Sequence, residues 1–189
     1  MGSTPAVGDL APDFTLPGTE PDAPEREFTL SAERGHPVVL AFYPGDETPV
    51  CTRQLCSYQH DLDVLRDLDA TLWGISSQNL ESHRKFQEHR GLTFPLLADV
   101  DNAVFSTYGL GSVLNRRAVF VVDAQGRIAW SHVSTTGITY QKLDKLVEVL
   151  RALPAPPIPY PLQPAEPAEP AAATTPVRRR RARSEKPTA

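Results

Sequence analysis

A chain of 189 residues that is 40% hydrophobic holds enough apolar material for one domain with a proper core and too little for two. Two cysteines exclude the disulfide framework of a small secreted scaffold and fit a reducing compartment; with no charged start followed by a long apolar run, and no stretch near the ~18 apolar residues of a spanning helix, a cytoplasmic protein with no membrane partner is expected. The formal net charge of −4 is uneven, because residues 1–153 carry 13 Lys+Arg against 20 Asp+Glu while residues 154–189 carry six against three.

In chain order, "VGDLAPDFTLPG" (7–18) is expected to form an N-terminal hairpin. "PVVLAFYP" (37–44) is a short continuous apolar run, the pattern of a strand buried on both faces. Residues 51–68 read as helical, with Leu55, Leu62, Leu65 and Leu68 among charged residues. "ATLWGISS" predicts a second buried strand, with Trp73 in the core. "LESHRKFQEHRG" predicts a helix stopped by Gly91, and "FPLLAD" a further strand. A short helix is expected through Val104 to Tyr108. "RRAVFVVDAQGRIAWSHV" has the shape of a hairpin turning at Asp123 to Gly126, with Trp130 on a sheet face. "TYQKLDKLVEVLRAL" closes the domain as an amphipathic helix. Alternating strands and helices with one late hairpin specify an α/β fold with a central mixed sheet flanked by helices.

Residues 154–189 are dominated by Pro and Ala. They lack the large apolar side chains needed to offset ordering entropy, so a disordered tail is expected. Its "RRRRAR" could attract nucleic acid or an anionic surface, but a solvated basic tail is the simpler expectation and no nucleic-acid partner is assigned.

Both thiols lie in "PGDETPVCTRQLC" (44–56). Cys51 falls just past a buried strand, in the first turn of the following helix, where clefts form and unpaired N–H groups favour negative charge. A thiol at such an address is expected to be acidified, and the helix terminus, worth ~0.3–2 kcal/mol, needs a cationic partner to complete the effect. Arg53, Arg116 and Arg117 are the candidates. Asp46 and Glu47 would act in the opposite direction if close to the sulfur, and are expected to face solvent. The histidines at 36, 60, 83, 89 and 132 show no metal-ligand spacing and read as surface or packing residues.

The run "FYPGDETPVCTRQLC" resembles the peroxiredoxins, whose signature Pro, Thr and Cys match Pro44, Thr48 and Cys51 in place. The second cysteine, Cys56, is similar to that of the peroxiredoxin Q or bacterioferritin comigratory protein subgroup. "VGDLAPDFTL", "GIS", "FPLLAD", "YGL" and "RRAVFVVDAQGRI" extend the likeness over residues 5–153. The resemblance implies a thioredoxin-like fold and reduction of hydrogen peroxide or organic hydroperoxides without a cofactor or metal. It further implies Cys51 as the peroxidatic nucleophile, Cys56 as the resolving thiol joined to it in an intramolecular disulfide, Thr48 as a hydrogen-bonding group, Pro44 as a water shield and Arg117 as the cation. Electrons would return from thioredoxin or a similar dithiol, to a monomer or weak homodimer. Val50 and Gln54 depart from the family pattern, which commonly has Gly and an acidic residue there. In an ideal helix, positions five apart have Cα atoms ~8.7 Å apart, beyond the ~7 Å limit for a disulfide, so the helix start must unwind for the pair to join.

Two other chemistries remain as alternatives. A thioredoxin-fold copper carrier would use Cys51, Cys56 and His60, but four intervening residues and no further ligand argue against it. A general thiol-disulfide oxidoreductase would carry its cysteines two residues apart.

Overall fold

The computed structural model describes residues 2–111, 115–134 and 139–154. The expected disordered tail lies outside the described residues from 155 onward. Seven strands, β1 (Thr15–Thr19), β2 (Arg26–Thr29), β3 (Val38–Phe42), β4 (Thr71–Ser76), β5 (Leu96–Ala98), β6 (Ala118–Val122) and β7 (Ile128–Val133), form one sheet in the order β2-β1-β5-β4-β3-β6-β7. Strands β3, β4 and β5 are parallel, whereas β1, β2, β6 and β7 join by antiparallel pairing. The mixed α/β sheet is as the sequence implies.

Helices α1 (Pro49–His60), α2 (Leu62–Asp67), α3 (Leu80–Arg90), α4 (Ala103–Thr107) and α5 (Leu143–Ala152) cover the sheet. Because side chains of a strand alternate between faces, the apolar run of β3 serves two cores. Val39 and Ala41 meet Leu55, Leu65, Phe86 and Leu146 from α1, α2, α3 and α5. Val38, Leu40 and Phe42 meet Trp73, Phe105, Tyr108 and Phe120 on the other face. Trp130 is partly buried against the first of these cores.

Three expectations need correction. The N-terminal hairpin is made by β1 and β2, later than residues 7–18. Residues 8–11 instead run along the β6–β7 turn through Gly8 N–H to Ile128 O, Ala11 N–H to Gly126 O and Ile128 N–H to Asp9 O, and Pro12 supplies no N–H for a ladder. The helix expected over 51–68 starts earlier, at Pro49, a residue suited to a first helical position, and breaks at Asp61, whose φ of −110° and ψ of 20° leave the helical region. Residues 139–142 precede α5 rather than belonging to it. Gly91 terminates α3 in the left-handed region, as expected.

Candidate active site

The three parallel strands end on one side of the sheet, and the loop leaving β3 delivers Cys51 there. Thr48 is the N-cap residue of α1 and Pro49 follows it. The first bond closing onto the cap is Thr52 N–H to Thr48 O, 2.9 Å, so the N–H groups of Val50 and Cys51 precede the intrahelical ladder and place positive potential at the helix start. Cys51 is fully buried and Cys56 half-buried, and both are free thiols in the same continuous helix.

Sheet register brings in the cation. Strand β6 runs antiparallel to β3 with Ala118 opposite Phe42, so the residue preceding β6 arrives beside the end of β3. That residue is Arg117, 2% exposed, whose Nη2 donates to Cys51 Sγ at 3.2 Å. Its Nη1 donates to Gln54 Oε1. Arg116 is exposed and turns away to Gly109 O. Arg53 is also exposed and donates to Pro49 O. Of the three arginines considered, Arg117 is the one at the sulfur.

Thr48 occupies the expected position, yet its hydroxyl donates to Gly45 O at 3.2 Å rather than capping the helix. A side-chain cap is worth about 1 kcal/mol, so the first turn of α1 lacks one common source of stability. Pro44 is half-buried at the start of the same loop.

Asp46 does not face solvent. Its side chain is 3% exposed and ion-paired to His83, which is wholly buried. Tyr43 OH donates to Oδ1 at 2.8 Å, Ser82 Oγ to Oδ2 at 2.6 Å, and His83 Nδ1 lies 2.9 Å from Oδ2. The other ring nitrogen, Nε2, faces Leu97 O at 3.1 Å. Both ring nitrogens therefore face acceptors, which an imidazolium satisfies by donating twice. Burial opposes ionisation of Asp46, but the hydrogen bond and charge of His83, with the Ser82 and Tyr43 hydroxyls, outweigh it and hold the carboxyl below its usual range. Burial first, then Asp46, pushes the Tyr43 phenol well above its ordinary value. Glu47 is 40% exposed and paired with Arg90 and His89. The loop before Cys51 is thus fastened to α3 at two successive residues. His83 is a buried ionic partner rather than simple packing, a role hidden by the 37 residues separating it from Asp46.

Gln54 and Tyr58 complete the surroundings. With Cys51 and Leu55 they make the buried face of α1, at the helical spacing i, i+3, i+4, i+7. That spacing from Cys51 is the sequence signal that could have placed both on the face of α1 that carries the thiol.

A buried cysteine at a strand-end helix start, with a guanidinium on its sulfur, is a candidate site for thiol-based redox chemistry on a mixed α/β sheet. Residues 7–131 match the AhpC/TSA family. A Coxiella burnetii protein named as a peroxiredoxin, bcp, is 32% identical over 74% of this chain and 97% of its own length, and chloroplastic peroxiredoxin Q of Oryza sativa subsp. japonica is 36% identical over 65% of this chain and 57% of its own. The crystal structure of peroxidoxin BcpB from Mycobacterium tuberculosis is similar with a TM-score of 0.68 and 28% identity, covering 79% of this chain and 99% of that one. The chain belongs to the AhpC/TSA family.

Proposed function

We propose that Cys51 is the peroxidatic thiol of this chain, which is a thiol-dependent peroxidase of the peroxiredoxin type. The observation carrying the assignment is the 3.2 Å contact from Arg117 Nη2 to the buried Cys51 Sγ. The Cys51 thiolate attacks one oxygen of the hydroperoxide and forms an S–O bond as the O–O bond breaks. The departing oxygen leaves with the electron pair and takes up a proton, as water or an alcohol. Negative charge grows on that oxygen, and donors aimed at it in a water-excluded site contribute about 3 kcal/mol each. Arg117 and the N–H groups opening α1 are the donors at hand, and the Thr48 hydroxyl serves as another once it turns from Gly45 O. Pro44 screens the sulfur from solvent.

The sulfenic acid on Cys51 then condenses with Cys56, releasing water and leaving an intramolecular disulfide. Both residues sit in the regular helix α1, where five positions separate Cα atoms by ~8.7 Å, so the segment from Cys51 opens before the bond forms. Thioredoxin or a similar dithiol reduces the disulfide. Residues 1–153 form the catalytic domain, a monomer or weak homodimer in the cytoplasm. No helix among the described residues is long and apolar enough to cross a membrane.

Mass spectrometry after one equivalent of peroxide tests the assignment. The unaltered protein should give a Cys51–Cys56 disulfide, Cys56→Ser an accumulating Cys51 sulfenic acid, and Cys51→Ser no oxidation at residue 56. Strong peroxidase activity surviving Cys51→Ser would refute it.

A further inference from the structure

Gln54 is wholly buried, so both ends of its amide need partners. Its Oε1 accepts from Arg117 Nη1, and its Nε2 donates to Tyr58 OH at 3.2 Å. The phenol in turn donates to Gln141 O at 2.7 Å. A phenol has one proton, and here a backbone carbonyl holds it. The face of the Tyr58 oxygen turned to Gln54 is therefore an acceptor. Burial raises the Tyr58 phenol to about 12, so the proton stays in place throughout the neutral range. The direction of every bond follows: Tyr58 donates to Gln141 O, Gln54 donates to Tyr58, Arg117 donates to Gln54, and Arg117 donates to Cys51 Sγ.

We propose that Tyr58 is a positioning residue for peroxide reduction: through Gln54 it holds Arg117 on the Cys51 sulfur, and its commitment to Gln141 O makes position 54 require an amide rather than a carboxylate. A carboxylate there would set acceptor against acceptor at Tyr58. It would also place a negative charge on the guanidinium that serves the sulfur, weakening its attraction for the thiolate. Without the phenol oxygen, Gln54 Nε2 becomes a buried donor lacking its acceptor, a cost comparable to that of the charged bond Gln54 makes with Arg117. The amide can then satisfy one end only at the expense of the other, and the guanidinium loses a fixed support. The inference rests on Cys51 being the peroxidatic thiol. A purely structural Tyr58 would instead fill the core and tie α1 to residues 139–142, irrespective of what stands at 54.

The test is a two-by-two comparison of the full chain, Tyr58→Phe, Gln54→Glu and the double variant. Phe preserves the ring and its packing, and thermal melts confirm that each protein is folded at the assay temperature. The readout is the second-order rate constant for Cys51 oxidation by hydrogen peroxide. Tyr58→Phe should lower it about three- to tenfold with Gln54, a factor in keeping with one net hydrogen bond. In the Gln54→Glu background the same change should leave the constant unaltered or raise it, because the acceptor clash is relieved. An equal loss in both backgrounds, or no loss with Gln54, overturns the proposal. Should peroxidase activity survive Cys51→Ser, it is the assignment of Cys51 that fails, a distinct result.

Discussion

Leu55 lies between the two cysteines and is wholly buried in the reduced protein, among the side chains joining α1 to the sheet. If the Cys51–Cys56 disulfide requires the start of α1 to open, Leu55 leaves that site on oxidation. Leu55→Ala then removes packing from the reduced form alone. A buried Leu→Ala costs about 2–5 kcal/mol, and for a two-electron couple 30 mV corresponds to about 1.4 kcal/mol. Destabilising the reduced form makes the disulfide harder to reduce, so the midpoint potential should become more negative by about 40–110 mV. Titration against thiol/disulfide buffers reads the shift, while denaturation of the reduced protein reads the packing loss directly. Amide exchange over residues 51–58, less protected in the disulfide form, locates the opening. A potential unchanged by the substitution, together with reduced-form stability lowered by the expected amount, would show Leu55 equally buried in both states. The unwinding argument would then be wrong.

Arg117→Lys keeps a charge but lacks the planar fork that reaches Cys51 Sγ and Gln54 Oε1 together. Losing one charge-assisted bond of about 1.5–3 kcal/mol should slow Cys51 oxidation about 10- to 150-fold in stopped-flow measurements, and a constant within about threefold of the parent would contradict the role given to this residue. Asp46→Asn leaves the buried His83 without its counter-charge and should cost about 3–5 kcal/mol, or about 6–20 °C in Tm for a domain of this size. Because the folded carboxyl of Asp46 is held below its usual range, its contribution is fully present above the unfolded value of about 3.9 and is lost as pH falls through the lower folded value. The stability gap between parent and variant should therefore narrow on acidification below about pH 4, and a gap independent of pH would refute the pairing.

The sequence by itself was sufficient for much of what is encoded locally, though not for the break at Asp61, the start of α5 or the place of the first hairpin. The uninterrupted apolar run of β3, the helix after it, the left-handed stop at Gly91 and the β6–β7 hairpin follow from periodicity and turn chemistry over a few residues. The placement of Cys51 at a strand end and helix start follows from the same pattern, and the spacing of Cys51 and Cys56 already contained the conflict between a helix and the proposed disulfide. Partners distant in sequence were another matter. Residue types alone left Arg53, Arg116 and Arg117 open as the cation. The family resemblance favoured Arg117, and the pairing of Ala118 with Phe42 brings that residue to the sulfur. Asp46 is polar and sits in a loop, which suggests solvent, but α3 supplies Ser82 and His83 to bury and pair it. Gln54 stood out only as a departure from a family pattern until Tyr58 and Gln141 defined its surroundings. A strand's burial is written in its own residues, whereas the charge balance of a buried site depends on groups that only packing brings within hydrogen-bond reach.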